Sequence, residues 1–271
     1  MSLLLEVKNL NKAYGATQIL NSVSFALHES TTLGIVGESG SGKTTLVRAV
    51  CRALQPDSGS VRYQSRNGWQ NLDQLSNKGL LPLRQEIQMI FQDPFASLNP
   101  RMTVQSILEE PLIIHKRGDR QWRKQRVNEM LAQVHLEASA ATRFPHAFSG
   151  GQRQRIGIAR ALILEPRLVI CDESVSALDV SVQAQILDLL NSLQSNLGLT
   201  YLFVSHDLDV VRTFCDEVLV MYQGRIVEAG SVKQVFEQPA HDYTRLLLSA
   251  IPSIDPDRPL QPLARDHLDL G

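Results

Sequence analysis

Residues 37–44 read Gly-Glu-Ser-Gly-Ser-Gly-Lys-Thr, and this stretch decides the fold class. It fits the pattern G-x-x-x-x-G-K-[ST], follows an apolar run at residues 31–36 and precedes residues with helical spacing at 44–54. Glycines in such a loop let backbone amides turn toward phosphate oxygens, and the start of the next helix adds the positive end of its dipole. The pattern therefore predicts a strand, loop and helix that bind the phosphates of a nucleotide.

Two side chains of this loop have a predicted chemical role. Lys43 is expected to contact the β- and γ-phosphates, and the Thr44 hydroxyl is a candidate ligand for Mg²⁺. The alternative is a glycine-rich turn that binds nothing, and the flanking strand and helix argue against it. The nucleotide-binding residues predicted in this segment are Gly37, Glu38, Ser39, Gly40, Ser41, Gly42, Lys43, Thr44 and Thr45.

A second apolar run, at residues 168–171, ends in two carboxylates. Asp172 is predicted to hold Mg²⁺ through water, and Glu173 follows it in a position to polarise the attacking water. Taken alone, an apolar run followed by Asp-Glu would equally well be a strand whose acids cap the next turn. Combined with the phosphate-binding loop, the pair indicates a nucleotide hydrolase.

Composition limits what else the chain can be. Its 271 residues suffice for one large α/β domain with a smaller lobe, and a formal net charge of −1 gives no reason to expect nucleic acid as a partner. The basic cluster at residues 117–126 is interpreted as a solvated helix face. Three widely spaced cysteines, Cys51, Cys171 and Cys215, fit neither a disulfide framework nor a zinc site.

The order of apolar patterns predicts an α/β fold. Val23, Phe25 and Leu27 alternate with small or polar residues, which is typical of a half-buried strand. Three later runs are continuously apolar and suit parallel strands buried on both faces, at residues 168–171, 201–204 and 218–221. We therefore predict a mostly parallel core sheet with an additional antiparallel β part.

The remaining patterns are helical or irregular. Apolar residues at 104–108 and 127–134 each lie on one helical face, which predicts a helical lobe at about residues 93–165. A strongly amphipathic helix is expected from Val182 to Leu197. Beyond Ser249 the chain is polar and proline-rich, so we predict one domain over residues 1–250 and a loosely ordered tail at 251–271.

A third motif at residues 148–155, Phe-Ser-Gly-Gly-Gln-Arg-Gln-Arg, resembles the LSGGQ signature of ABC ATPases, with Phe148 in place of the usual leucine. A small residue and two glycines at a helix start expose backbone donors to an anion, and the serine is also a plausible N-cap; both roles are compatible. In the ABC family this segment contacts the γ-phosphate of ATP bound on the opposite subunit. The resemblance therefore implies a head-to-tail dimer with two shared ATP sites, involving Ser149, Gly150, Gly151 and Gln152.

Further positions match the ABC pattern in the same order along the chain. Gln92 resembles the Q-loop glutamine, which senses Mg²⁺, and residues 176–179, ending in Asp179, resemble the D-loop that crosses the dimer interface. His206 resembles the switch histidine that hydrogen-bonds the γ-phosphate, and Tyr14 the aromatic residue that stacks on adenine. The resemblance implies Lys43, Glu173 and His206 as catalytic residues, and Thr44, Gln92 and Asp172 as metal ligands.

The resemblance extends from about residue 5 to residue 250 and has one departure near the chemistry. Ser174 and Val175 follow Glu173 where most relatives have Pro-Thr. That change is expected to loosen the turn behind the catalytic glutamate without removing a catalytic group.

Residues 91–104 and 239–247 are similar to the ATPases of bacterial peptide and nickel importers. This resemblance implies an ATP-hydrolysing subunit that pairs with a second, different ATPase under two transmembrane permease subunits, with an extracytoplasmic substrate-binding protein. Such a subunit lies at the cytoplasmic face of the inner membrane, and the chain has no apolar run long enough to span one and no signal peptide. The sequence ends without the cysteine-containing extension of many relatives, which slightly favours nickel or metal chelates over peptides.

Two other functions were weighed against transport. A soluble ABC protein acting on a ribosome or DNA usually has two cassettes or a long coiled-coil insertion, and this sequence has one cassette and no extended heptad run. A regulatory module that binds ATP without hydrolysing it is disfavoured by the presence of Glu173 and His206.

Overall fold

The computed structural model describes residues 2–91, 97–176 and 178–250. Its strands are β1 (Leu3–Tyr14), β2 (Thr17–His28), β3 (Thr32–Val36), β4 (Ser58–Ser65), β5 (Gly68–Asn71), β6 (Ile87–Ile90), β7 (Leu168–Asp172), β8 (Thr200–Val204), β9 (Glu217–Tyr222) and β10 (Arg225–Ser231). Its α-helices are α1 (Lys43–Val50), α2 (Asn77–Leu83), α3 (Val104–Ile114), α4 (Arg120–Gln133), α5 (Gly150–Leu162), α6 (Val180–Leu197), α7 (Leu208–Phe214), α8 (Val232–Glu237) and α9 (Asp242–Ser249).

The chain divides into two compact units. The first comprises residues 1–74 and 202–271, and the second comprises residues 75–201. This division does not test the predicted lobe at about residues 93–165, which stays a prediction. The predicted tail at 251–271 lies outside the described residues.

The first unit contains an antiparallel sheet with the strand order β2-β1-β4-β5. β1 pairs with β2 so that Leu5 lies opposite Leu27. Val23 and Leu27 are buried while the residues between them are more exposed, which confirms the predicted half-buried strand. In β4, a Cβ on Gly59 would lie 2.4 Å from the carbonyl oxygen of Asn9 in β1. The two strands can therefore come this close only because position 59 is a glycine.

Parallel pairing in the first unit positions the phosphate-binding loop. β3 pairs in parallel with β9, with Val36 opposite Val220, and β9 pairs antiparallel with β10. Every residue of β3 is buried, as expected for a strand covered on both faces. The Ser205 amide, just after β8, donates to the Ile35 carbonyl at 3.2 Å. The chain therefore leaves β3 and β8 at the same edge of the sheet.

The second unit combines a parallel strand pair with packed helices. β6 pairs in parallel with β7, with Ile90 opposite Cys171. The predicted apolar faces of α3 and α4 are buried, which confirms them. The amphipathic helix predicted from Val182 to Leu197 is α6, but the prediction that Leu197 lies on its buried face is wrong. Leu197 is 41% exposed, because the helix ends there and Gly198 adopts a left-handed backbone.

Several local predictions differ from the structure. The helix expected over residues 44–54 ends at Val50, because Arg52 adopts a left-handed backbone with φ 56° and its Nε donates to the Leu72 carbonyl at 2.8 Å. Cys171 and Cys215 are buried, whereas Cys51 is only partly buried. Among the described residues, no helix is both long and apolar enough to cross a membrane.

Candidate nucleotide-binding site

The loop after β3 has a shape that only glycine permits at two positions. Gly37 has φ 147°, and a Cβ there would lie 2.2 Å from the Met221 carbonyl oxygen at the end of β9. Gly42 has φ 104°, and a Cβ there would lie 2.8 Å from the Ile19 carbonyl oxygen in β2. Backbone of this curvature, placed directly before a helix, presents successive amides to an anion. The loop geometry therefore suits phosphate binding, as its sequence predicts.

Polar groups inside the loop also fit a phosphate ligand. The Ser41 carbonyl accepts a hydrogen bond from the Gly224 amide at 3.1 Å, which ties the loop to the turn between β9 and β10. The Ser41 hydroxyl oxygen is buried and has no hydrogen-bond partner among the described residues. A buried hydroxyl without a partner is costly, and a phosphate oxygen would supply one. Glu38, Ser39 and Gly40 are exposed.

Lys43 is the positively charged residue of the loop. Its side chain is almost buried, with 6% of its surface exposed. The ammonium donates to the carbonyl oxygens of Gly37 at 2.8 Å and Glu38 at 2.9 Å. Thr44 and Thr45 follow it in the first turn of α1 and are partly buried. The loop thus holds a buried positive charge against two of its own backbone carbonyls.

Two other predicted residues lie in the first unit. His206 is exposed and follows the buried Ser205. The next residue, Asp207, is the N-cap of α7, and its carboxylate accepts a hydrogen bond from the Val210 amide at 3.2 Å. The Ser205 contact to β3 brings His206 to the sheet edge from which the phosphate-binding loop leaves. Tyr14 ends β1 with 54% of its surface exposed. Its proposed contact with adenine stays a prediction.

The acidic pair lies in the second unit. Asp172 is the last residue of β7 and is only 9% exposed. Glu173 follows with φ 49°, a left-handed conformation that is uncommon for a residue with a side chain. The amide and hydroxyl of Ser176 both donate to the Glu173 carbonyl, at 3.2 and 2.9 Å. These hydrogen bonds hold the strained turn that presents the carboxylate.

Gln154 is a residue that the sequence reasoning missed. It lies in α5 and is almost completely buried, and its side-chain amide donates to the Ser174 carbonyl at 2.6 Å. This hydrogen bond ties the turn behind Glu173 to α5, and the loosening expected from Ser174 stays a prediction. The available signal was a glutamine at a position where the helix pattern demands an apolar residue.

Cys171 precedes the acidic pair but takes no chemical role. Its thiol is buried in β7, and this burial raises its pKa to about 12, against a smaller opposing effect of the Ser174 hydroxyl. A thiol with such a pKa is neither a nucleophile nor a good metal ligand at neutral pH. The structure therefore leaves the acids as the reactive groups at the end of this strand.

The signature segment starts helix α5. The Gln152 amide donates to the Ser149 hydroxyl at 3.3 Å, and the Gln152 side chain accepts from the Ser149 amide at 3.1 Å, which forms a capping box. Ser149 and Gln152 are exposed. Phe148 is buried, with the Arg143 guanidinium 4.4 Å from its ring centroid. The N-cap role of Ser149 is thus present in the structure.

The two glycines of the signature differ in their surroundings. A Cβ on Gly151 would lie 2.5 Å from a methyl carbon of Val182 in α6, whereas one on Gly150 would meet only Leu178, at 3.8 Å. Asp179 is exposed at the start of α6 and its side chain makes no cap hydrogen bond. Gln92, predicted as the Q-loop residue, lies outside the described residues.

Ser149→Ala separates the capping role of Ser149 from a catalytic one. Loss of the cap is expected to lower the free energy of unfolding by about 1 kcal/mol. Thr103→Ala is the matched control, because Thr103 caps α3 in the same way, accepting from the Ser106 amide. We expect similar destabilisation in chemical denaturation, with a loss of ATP hydrolysis only in Ser149→Ala. If the two variants hydrolyse ATP at equal rates, Ser149 acts only as the N-cap of α5.

Comparison with known proteins identifies the family. A family model described as "ABC transporter" matches residues 20–176, more than half of the chain. The chain belongs to the ABC transporter family. The predicted ABC ATPase fold, ATP binding and ATPase activity are thereby confirmed. A second family model, "Oligopeptide/dipeptide transporter, C-terminal region", matches residues 227–269, a segment that the sequence reasoning treated partly as a tail.

Curated relatives of this ABC protein are named for peptide transport. A putative peptide import ATP-binding protein of Brucella ovis is 50% identical over 94% of this chain and 80% of its own length. The oligopeptide transport ATP-binding protein OppF of Bacillus subtilis is 48% identical over 94% of this chain and 84% of its own. The dipeptide transport ATP-binding protein DppF of Haemophilus influenzae is 50% identical over 88% of this chain and 72% of its own length.

Solved structures show the same cassette fold. CbiO1 of Clostridium perfringens, part of the ABC transporter complex cbiONQ, aligns with a TM-score of 0.78 at 30% identity over 88% of this chain and 92% of its own. The cassette MJ0796, in a dimeric post-hydrolysis state bound to ADP and phosphate, aligns with a TM-score of 0.74 at 30% identity. The alignment covers 84% of this chain and 99% of that one. The second structure holds the products of ATP hydrolysis.

Proposed function

We propose that this chain is the ATP-hydrolysing subunit of an importer of short peptides. The match of residues 227–269 to the C-terminal region of oligopeptide and dipeptide transporters carries this proposal. The relatives of about 50% identity, named for peptide, oligopeptide and dipeptide transport, support it. The same match outweighs the preference for nickel or metal chelates that rested on a missing extension.

We assign the phosphates of ATP to the loop of the first unit. Lys43 exchanges its bonds to the carbonyls of Gly37 and Glu38 for bonds to the β- and γ-phosphates, so the buried charge keeps partners in both states. The Ser41 hydroxyl, unpartnered among the described residues, gains a phosphate oxygen. Tyr14 offers an exposed ring to the adenine base.

Glu173 is the proposed base of the hydrolysis step. Its carboxylate orients a water molecule and accepts a proton from it as the water oxygen attacks the γ-phosphorus and the bond to the β-phosphate oxygen breaks. His206 donates a hydrogen bond to the γ-phosphate. The left-handed turn held by Ser176 and Gln154 fixes where the carboxylate points. This strain is consistent with a functional role for the turn.

Mg²⁺ is the metal proposed from the resemblance of the motifs. The Thr44 hydroxyl, the Asp172 carboxylate and the Gln92 side chain would each offer an oxygen ligand, the type that this ion prefers. When bound, the ion neutralises charge on the β- and γ-phosphates. Asp172, nearly buried at the end of β7, is held in place by the strand.

The proposed assembly is a heterodimer of ATPases under two transmembrane permease subunits, fed by an extracytoplasmic binding protein. Ser149, Gly150, Gly151 and Gln152 then face ATP on the partner ATPase, with Asp179 at the interface. The start of α5 supports this assignment, because the dipole at a helix N-terminus favours an anion. The cytoplasmic face of the inner membrane is the corresponding location.

Uptake into proteoliposomes tests the transport assignment. The chain is co-purified with candidate permease subunits from the same organism and reconstituted with a candidate binding protein and internal ATP. We expect uptake of labelled di- to pentapeptides, and none with Glu173→Gln. Uptake of Ni²⁺ chelates without peptide uptake would move the proposal to metal import, and failure of the chain to join any membrane subunit would end it.

A further inference from the structure

The helix that follows the last strand reaches back to the phosphate-binding loop. Tyr243, in the first turn of α9, is fully buried. Its hydroxyl oxygen accepts a hydrogen bond from the Glu38 amide at 2.9 Å. Glu38 is the second residue of the loop, and both residues belong to the first unit. A residue far along the chain therefore touches the backbone that the proposed function assigns to ATP.

Glu38 is fixed on both sides of its backbone. Its amide is held by the Tyr243 hydroxyl, and its carbonyl accepts from the Lys43 ammonium at 2.9 Å. Because a P-loop binds phosphate through amides of defined direction, anchoring this residue limits how the first half of the loop can turn. The flanking Gly37 is already confined by the Met221 carbonyl. Tyr243 thus acts on the one part of the loop that is otherwise exposed.

Several contacts hold the Tyr243 ring where it is. The ring lies 4.2 Å from that of Tyr222, measured between centroids, at the end of β9. The Tyr243 amide donates to Nδ1 of His241 at 3.0 Å. The Glu228 carboxylate in β10 accepts from the amides of Ala240 at 2.8 Å and His241 at 3.0 Å. The start of α9 is therefore anchored to the β9–β10 hairpin, beside the loop.

The ionised form of Glu228 suits this anchoring. Burial alone would raise its pKa, but the hydrogen bonds from the Ala240 and His241 amides, together with the nearby Thr244 and His241 side chains, bring the pKa below its usual value. The carboxylate therefore stays charged at neutral pH and keeps its bonds to the segment before α9.

We propose that Tyr243 is a positioning residue for ATP binding: its hydroxyl holds the Glu38 amide so that the loop is preformed for the phosphates. The proposal rests on the nucleotide site assigned above. It gives the C-terminal segment at residues 239–249 a role in nucleotide affinity. A loop that lacks this hydrogen bond samples other arrangements and must be ordered by the ligand, which lowers affinity.

Tyr243→Phe tests the hydroxyl and leaves the ring in place. Tyr222→Phe is the matched control, because it removes a hydroxyl from the neighbouring ring. Within the described part of the chain, that hydroxyl accepts a hydrogen bond from the exposed Gln223 side chain. We expect Tyr243→Phe to raise the KM for ATP and the Kd for an ATP analogue by about tenfold, as loss of one buried hydrogen bond predicts, with kcat within about twofold of wild type. Tyr222→Phe should leave all three unchanged.

A second variant guards against a folding defect. Glu228→Gln weakens the anchor of α9 and leaves the residues of the loop unchanged. It should raise the KM for ATP by a smaller factor than Tyr243→Phe does. The proposal is overturned if Tyr243→Phe binds ATP as wild type does, if both Tyr variants weaken binding equally, or if only kcat and the melting temperature fall. A wild-type protein that neither binds nor hydrolyses ATP would instead refute the proposed nucleotide site.

Discussion

Replacing Glu173 by glutamine is expected to lower the rate of ATP hydrolysis by about 10²- to 10⁴-fold while ATP affinity stays near that of wild type. Glutamine has the same shape but cannot accept the proton of the attacking water. The surrounding turn should survive, because its hydrogen bonds from Ser176 and Gln154 go to backbone carbonyls and do not involve the carboxylate. The effect is therefore confined to the chemical step.

Phosphate release and equilibrium binding of ATP measure the two halves of this prediction. Glu237→Gln is the control, because Glu237 is an exposed residue at the end of α8. When the partner ATPase is present and the bound ATP is not hydrolysed, the Glu173→Gln protein should also accumulate as the proposed heterodimer in size-exclusion chromatography. Hydrolysis at more than a tenth of the wild-type rate would remove Glu173 from the role of base.

Lys43→Met is expected to weaken ATP binding by about 100-fold or more. The variant keeps the apolar stem of a buried side chain and loses the ammonium that donates to Gly37 and Glu38. Charge-assisted hydrogen bonds to phosphate in a partly dehydrated site are among the strongest a protein makes, so their loss should exceed that of a neutral bond. The rate of ATP hydrolysis at ordinary ATP concentrations should fall as well, because a smaller fraction of the protein has ATP bound.

Isothermal titration of ATP against wild type, Lys43→Met and Lys233→Met measures this loss. Lys233 is exposed on α8, so its variant makes the same chemical change outside the loop. Thermal unfolding without nucleotide checks that Lys43→Met is folded. ATP binding by a folded Lys43→Met at wild-type affinity would show that the loop does not hold the phosphates.

Elements governed by local rules could be predicted from the sequence. The buried strand β3, its glycine-rich loop and helix α1 form a pattern in which each part confirms the others. The N-cap at Ser149 follows from a serine and a glutamine three residues apart, and the structure contains the corresponding capping box. Short-range patterns carry this information because neighbouring residues make the contacts.

Contacts between distant residues could not be predicted in this way. Tyr243 and Glu38 are separated by 205 positions, and nothing in either local pattern indicates that a phenol meets a loop amide. The same holds for the hydrogen bond between the Gln154 side chain and the Ser174 carbonyl, which joins α5 to the turn after β7. Helix ends also depended on tertiary contacts, as at Arg52, whose side chain bonds to Leu72.

The most direct test of the account is the rate of phosphate release from ATP by the purified chain, alone and assembled with candidate permease subunits from the same organism. The account predicts hydrolysis that rises on assembly, rises further when peptide-loaded binding protein is added, and disappears in Glu173→Gln. Hydrolysis that is unaffected by any membrane subunit, or that persists in Glu173→Gln, would contradict it.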